Sequence, residues 1–201
     1  MHNLRLTILA TLLCVFSLTL LGQEKMADKG MAAPGSVTDS FLKQSKRVQG
    51  QMEALLGAIP QEKFNWRPME GVRSIAESFM HAAGGNFLFA VPLGGMAPQA
   101  FEESTFEKSQ TDKAKILEAL RKSFDEVNEA VKKTPAANYG KTIKMFGMEL
   151  TTLDIIFAAA THQHELLGQQ IAYARMNGIV PPWTAEQQKR MKEQEMKKDS
   201  K

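Results

Sequence analysis

Two histidines and a glutamate lie close together in the last third of the chain, at His162, His164 and Glu165. They fall inside the longest stretch of helical spacing in the sequence. Because an ideal helix turns by about 100° per residue, Glu165 lies about 60° around the helix from His162, whereas His164 lies about 160° away. Metal sites in helical bundles use a carboxylate and an imidazole at this spacing. A histidine in an apolar stripe is more commonly a hydrogen-bonded core residue, so both interpretations stay open.

A third histidine, His81, lies in a separate helix predicted over about Ile75 to Ala90. Ser74, followed three positions later by Glu77, is a capping box that marks where this helix begins. The pair Gly84-Gly85 falls inside the helix, although each glycine costs a helix interior about 1 kcal/mol relative to alanine. We expect close helix packing or space for a ligand to compensate for that cost.

The helix that carries His162 is predicted from Thr151 to Gly178. Thr151 and Asp154 form a second capping box, and the Asn-Gly pair at the other end is a C-terminal signal. Apolar residues recur on two sides of this helix, which predicts that it is buried around most of its circumference. His162 belongs to one of these apolar stripes.

Two further amphipathic helices are expected. One begins at Ser36 and ends before Pro60, and the other begins at Ser109, with Asp112 three positions on, and ends at Lys132-Lys133. Both starts have the spacing of a helix cap, and the lysines suit the negative end of a helix dipole.

Four amphipathic helices with short to medium connections predict an all-α fold, a four-helix bundle over residues 36–183. If helices two and four face each other, His81, His162 and Glu165 converge in the core. Zn²⁺, Ni²⁺, Fe²⁺ or Mn²⁺ would accept two imidazoles and a carboxylate and keep open positions for water or substrate. Water on such an ion can reach a pKa of about 7 and act as a nucleophile.

The connections have features of their own. Residues 91–110 predict a long loop with short helical pieces, of a length that often lies over a site. Residues 141–149 predict a small hairpin or an extended loop. Residues 184–201 are highly charged and predict either a solvated helix or a disordered tail. Trp66 is expected to pack over the end of the bundle, with stacking on a ligand as the alternative.

The N-terminal residues 1–22 have the pattern of a secretory signal peptide, with Arg5 followed by an uncharged apolar run and then Gly22. Cleavage at that point would send the protein to the periplasm or out of the cell. Retention of residues 6–21 as a membrane anchor is the alternative, because the run approaches the length of a spanning helix. Residues 23–35 are polar and aperiodic and predict a flexible linker.

The composition excludes several classes of function. The one cysteine, Cys14, lies in the signal peptide, so the mature protein would have no disulfide, thiolate metal site or cysteine nucleophile. A formal net charge of +3 without a basic patch argues against a nucleic-acid partner. No membrane partner is expected after cleavage. Phenylalanine and methionine on several helix faces would allow a homodimer.

Two segments carry a resemblance to a known family. They are NWRPMEGVRSIAESFMHAAGGNF, from Asn65 to Phe87, and THQHELLGQQIAYARMNGIVPPW, from Thr161 to Trp183. With the helix pattern between them, the chain resembles the DinB/YfiT-like family of four-helix bundles. That resemblance implies an up-down-down-up bundle with a metal pocket and, for some members, transfer or isomerisation that depends on a small thiol.

The resemblance implies one metal-binding histidine on helix two and two, four positions apart, on helix four. His81 and His162 match two of these positions. The third falls at Leu166, which cannot bind a metal, so Glu165 or a shifted His164 would have to replace it. The small thiols that the family uses are cytosolic, which makes thiol transfer a poor match for an exported chain.

Two functions follow from these observations. The first is an exported, divalent-metal-dependent hydrolase or transferase with its histidine site between helices two and four, acting on a small molecule that the sequence does not identify. The alternative is a non-catalytic extracytoplasmic bundle that binds a ligand or partner, in which Leu166 has removed the metal site.

Overall fold

The computed structural model describes residues 36–199, which contain six α-helices and one short β-hairpin. Four long helices form the bundle: α1 (Val37–Ala58), α2 (Ile75–Ala90), α4 (Lys113–Lys133) and α5 (Thr152–Met176). The other elements are α3 (Glu103–Phe106), α6 (Pro182–Asp199), strands β1 (Thr142–Met145) and β2 (Met148–Thr151), and 3₁₀ turns at Gln61–Lys63, Val91–Leu93 and Ala136–Asn138. The prediction of an all-α four-helix bundle is confirmed.

The starts of α2 and α5 follow the sequence signals. Ser74 and Thr151 are the N-cap residues, and each forms a complete capping box with the acidic residue three positions on. The predicted start of α4 at Ser109 is wrong. Asp112 is the N-cap, because its carboxylate accepts a hydrogen bond from the amide of Lys115 at 3.0 Å, whereas the Ser109 hydroxyl donates to Phe106 at the end of α3.

The four long helices pack in a ring. Helix α2 packs against α4 and α5, and α1 packs against the same two helices. Consecutive helices α1 and α2 therefore lie diagonally across the bundle, as do α4 and α5. This arrangement places α2 directly beside α5, as the two-histidine prediction requires. The up-down-down-up order of helix directions stays a prediction.

The core is largely apolar, but one polar layer crosses it. Asn86 on α2 donates a hydrogen bond to the hydroxyl of Ser123 on α4 at 3.2 Å and accepts one from the amide of Gln163 on α5 at 2.9 Å. All three side chains are buried. Because a buried polar group without a partner is costly, this layer fixes how the three helices are aligned along the bundle axis.

The hairpin between α4 and α5 is confirmed, with antiparallel strands that begin and end close to the predicted bounds. Its turn is formed by Phe146 and Gly147, which both have positive φ angles, of 53° and 73°. Such angles match the twist of a two-residue hairpin loop but are unfavourable for phenylalanine. The Phe146 ring lies 6.3 Å from that of Phe89 on α2.

The connection over residues 91–110 is a loop with short helical pieces, as expected, and contains α3. Trp66 is partly buried against the core, and its ring meets that of Tyr173 edge-on at 5.6 Å, so it packs on the bundle as predicted.

The charged tail continues as α6 in the described residues and is exposed beyond its first turn. None of the helices within residues 36–199 combines the length and apolar character needed to cross a membrane. The predicted signal peptide over 1–22 and the linker over 23–35 lie outside the described residues.

Candidate functional site

His81 on α2 and His162 on α5 face each other. Their ring centroids are 5.2 Å apart and their planes are inclined by 56°. The structure thus brings together the two histidines that the sequence placed on separate helices. Both are largely withdrawn from solvent, and the side chain of His81 is 13% exposed.

A glycine makes room for this pair. A Cβ atom built on Gly85 would lie 2.8 Å from Nδ1 of His162, closer than real Cβ atoms come to their neighbours, and 3.1 Å from Nε2, which is tighter than most real Cβ contacts. The imidazole of His162 therefore occupies the space that a side chain at position 85 would need. The neighbouring Gly84 differs, because its added Cβ would meet Phe106 and Glu103 at ordinary distances of 3.5 and 3.6 Å.

His162 is held in its neutral form. Burial lowers its pKa to about 4, and the charges of His81 and Arg73 act in the same direction. The ring of Phe89 packs edge-on against it at 5.6 Å. A neutral imidazole can accept a proton or bind a metal ion, so His162 is ready for either role at neutral pH.

The other imidazole faces two carboxylates. Nδ1 of His81 lies 3.2 Å from Oε1 of Glu103 and 3.2 Å from Oε2 of Glu107. Neither approach has hydrogen-bond geometry, so this buried nitrogen has no hydrogen-bond partner among the described residues. Burial lowers the pKa of His81, helped by the charge of Arg73, while the two glutamates oppose the shift.

Arg73 completes the charged group. Its Nε donates a hydrogen bond to Oε2 of Glu107 at 2.9 Å. One guanidinium therefore accompanies two carboxylates, Glu103 and Glu107, beside two imidazoles whose pKa values are both lowered. With neutral imidazoles the group carries one excess negative charge, which favours a cation.

The sequence did not predict Glu103, Glu107 or Arg73 as site residues. The two glutamates are four positions apart in α3 and the residue after it, a spacing that puts both on one helical face. That spacing was the available signal, but the prediction of a loop over residues 91–110 gave no reason to orient them toward α2.

The other predicted ligands lie elsewhere on α5. His164 accepts a hydrogen bond at Nε2 from Arg47 of α1 at 3.3 Å, while its Nδ1 lies 2.9 Å from the carbonyl oxygen of Ala160. Glu165 is exposed. Leu166 is buried at 6% exposure within the apolar core. The structure thus gathers His81 and His162 and turns His164 toward α1.

Whether these residues suit a metal ion depends both on the types of donor atom present and on how those atoms are arranged. Within residues 36–199, no three His, Cys, Asp or Glu side chains already form a group arranged to hold an ion. The donors nevertheless fit a divalent cation, since they include neutral imidazoles, carboxylates and the unpartnered Nδ1 of His81. The donor types therefore suit a divalent cation, but in this conformation they are not arranged around one common point.

Comparison with known proteins agrees with the architecture. The model of the DinB superfamily matches residues 44–169. A DinB-like protein from Bacillus cereus is similar over 72% of this chain and 95% of its own, with 15% identity and a TM-score of 0.62. No curated protein matches the chain.

Two other similar structures belong to proteins with a described function. YfiT from Bacillus subtilis, described as a probable metal-dependent hydrolase with an unusual four-helix bundle topology, has 11% identity and a TM-score of 0.58, covering 76% of this chain and 94% of its own. A mycothiol-dependent maleylpyruvate isomerase has 10% identity and a TM-score of 0.53, covering 65% and 59%. At these identities the likeness concerns the fold.

Proposed function

Because this chain belongs to the DinB superfamily, we propose that it is a divalent-metal-dependent hydrolase or transferase whose ion binds between α2 and α5 at His81 and His162. The observation that carries the proposal is the packing of the two imidazoles at 5.2 Å over the space left by Gly85. The description of YfiT as a probable metal-dependent hydrolase supports a metal in this fold. Zn²⁺, Ni²⁺, Fe²⁺ and Mn²⁺ all suit the donors.

An ion bound here would activate water or another small nucleophile. The protein's own residues supply the setting. His162 is kept neutral by burial, so its ring can bind a cation without first losing a proton. Phe89 packs on the ring and limits the approach of water from that side. Glu165 remains the ligand predicted from sequence, and its exposed position on α5 would require its side chain to turn inward.

Export is part of the proposal and rests on residues 1–22 alone. An exported enzyme would meet its substrate in the periplasm or outside the cell, which favours hydrolysis of a small molecule over transfer from a cytosolic thiol. N-terminal sequencing of the protein isolated from its host tests this step. A mature start near Gln23 is expected, and a chain that still begins at Met1 would contradict it.

A second function is favoured by one observation. Leu166 occupies a buried apolar position where the family resemblance implies a ligand. A non-catalytic bundle that binds a ligand or partner would keep the two histidines as core residues. Such a protein would melt at the same temperature with and without EDTA, whereas a metalloenzyme loses the stabilisation that its ion provides.

Metal content distinguishes the two functions. We expect about one equivalent of divalent metal in the wild-type protein and none in the His81→Ala and His162→Ala variants, as measured by elemental analysis. His164→Ala is the matched control, because it removes an imidazole from α5 outside the pair. A wild-type protein that stays metal-free after refolding with Zn²⁺, Ni²⁺ or Mn²⁺ would refute the metalloenzyme.

A further inference from the structure

The two carboxylates beside His81 have no role in the function proposed above. We infer that Glu103 is a metal ligand of this site and that Glu107 assists it, so that α3 supplies the donor that α5 lacks at Leu166. The inference rests on the proposed metal site but concerns different residues. It follows from where the structure places the loop between α2 and α4.

The distances suit a shared ion. Donor atoms that each lie about 2.1 Å from one metal are themselves about 3.0–3.4 Å apart, depending on whether the geometry is octahedral or tetrahedral. Nδ1 of His81 lies 3.2 Å from one oxygen of Glu103 and 3.2 Å from one of Glu107. Neither contact meets hydrogen-bond geometry in this conformation, so Nδ1 has no hydrogen-bond partner among the described residues.

Charge distinguishes the two glutamates. Glu107 is paired with Arg73 through a 2.9 Å hydrogen bond, so its charge is already compensated. Glu103 has no lysine or arginine partner among the described residues, and its only ion-pair neighbour there is His81, at 3.2 Å. A carboxylate without a lysine or arginine partner has no permanent positive charge beside it, and a divalent ion would supply one.

The glutamates are presented from a firmly packed segment. Phe106, between them, packs edge-on against Phe87 of α2 at 5.8 Å and against Phe101 at 5.3 Å. The same segment lies against Gly84 of α2, where an added Cβ would meet Phe106 and Glu103 at ordinary distances. Aromatic packing therefore holds the carboxylates against His81, as a metal site requires of its ligands.

The simplest competing explanation is an ion-pair network that stabilises α3 without any metal. The two explanations differ in what happens when the charge of Glu103 is removed. A Glu103→Gln variant keeps the size and hydrogen-bonding capacity of the side chain, and the side chain is one-third exposed, so we expect the fold to survive. A structural ion pair would affect melting temperature, whereas a ligand affects metal affinity and the spectrum of the bound ion.

The test is a titration of the metal-stripped protein with Co²⁺, followed by visible absorption and calorimetry. We expect Glu103→Gln to weaken Co²⁺ binding at least about tenfold, since even outer-shell substitutions cost 10–100-fold. Its visible spectrum should also change, because a ligand has been lost. Glu107→Gln should have a smaller effect. Glu102→Gln is the matched control, being an exposed glutamate of the same segment, and should bind as wild type does.

A rescue strengthens the test. Adding Leu166→His to Glu103→Gln should restore the lost affinity, because an imidazole from α5 then replaces the carboxylate. Wild-type Co²⁺ affinity and spectrum in both glutamate variants would overturn this inference and leave the proposed metal site standing. Failure of the wild-type protein to bind Co²⁺ at all would overturn the proposed function, and this inference with it.

Discussion

Gly85 and His162 are complementary in shape, because the imidazole lies where a Cβ on residue 85 would be. The added atom would come within 2.8 Å of Nδ1. A glycine in the interior of α2 costs helix stability, and here the cost is matched by a buried ring. The absence of a side chain at Gly85 on α2 therefore determines where the ring of His162, a candidate ligand on α5, can lie.

The adjacent glycines should respond differently to alanine. Gly85→Ala must displace the His162 ring, and we expect a loss of about 1–3 kcal/mol in the free energy of unfolding together with weaker metal binding. Gly84→Ala meets only ordinary contacts and should be neutral or stabilising by up to about 1 kcal/mol. Urea denaturation measures both. Equal effects of the two substitutions would show that the ring is not confined by Gly85.

The stability of the metal-free protein should fall as the pH drops. Because the folded pKa of His162 is about 4 and its unfolded value is about 6.5, the unfolded chain binds more protons between these values. The free energy of unfolding should therefore decline by up to about 3 kcal/mol from above pH 6.5 to pH 4. Urea denaturation with a chelator present measures this decline, which should be smaller in His162→Gln. An equally steep decline in that variant would contradict the assignment.

The polar layer should be sensitive to loss of its central member. Asn86→Leu leaves the buried amide nitrogen of Gln163 without its acceptor and removes a donor to the hydroxyl of Ser123, which still donates to the carbonyl of Leu120, and we expect a loss of about 1–3 kcal/mol in unfolding free energy. Asn128→Leu on α4 is the matched control, because Oδ1 of Asn128 already has no hydrogen-bond partner among the described residues. The layer would have no special role if the control were as destabilising as Asn86→Leu.

An imidazole at position 166 should strengthen metal binding. Leu166→His puts a third histidine four positions after His162 on α5, and we expect tighter Zn²⁺ binding by calorimetry, with reduced stability when the metal is absent. Leu167→His is the matched control, since Leu167 is equally buried, at 6% exposure, but lies on a different side of the helix. An equal gain in affinity from both variants would mean that the added imidazole acts without a defined site.

Local signals in the sequence were enough to predict the bundle. Capping boxes at Ser74 and Thr151 and apolar periodicity predicted the starts of two helices, and a hairpin was one of the two alternatives predicted for residues 141–149. Ser109 misled because it has the same three-residue spacing to an acidic residue. Asp112 is the N-cap instead, because its carboxylate accepts a hydrogen bond from the amide of Lys115.

The candidate site was only half predictable. The proximity of His81 and His162 could be predicted, because helical periodicity defines which side of a helix a residue occupies. Glu103, Glu107 and Arg73 lie in connections, whose paths depend on tertiary packing such as the contact of Phe106 with Phe87. No local pattern specifies such a contact, so the charged half of the site emerges only from the fold.

The central claim is that an ion binds between His81 and His162, and anomalous X-ray diffraction from crystals of the Zn²⁺-loaded protein tests it most directly. We predict one strong peak at the zinc absorption edge between α2 and α5, about 2.0–2.1 Å from a nitrogen of each imidazole. Absence of a peak there, with both rings packed as core residues, would contradict the account.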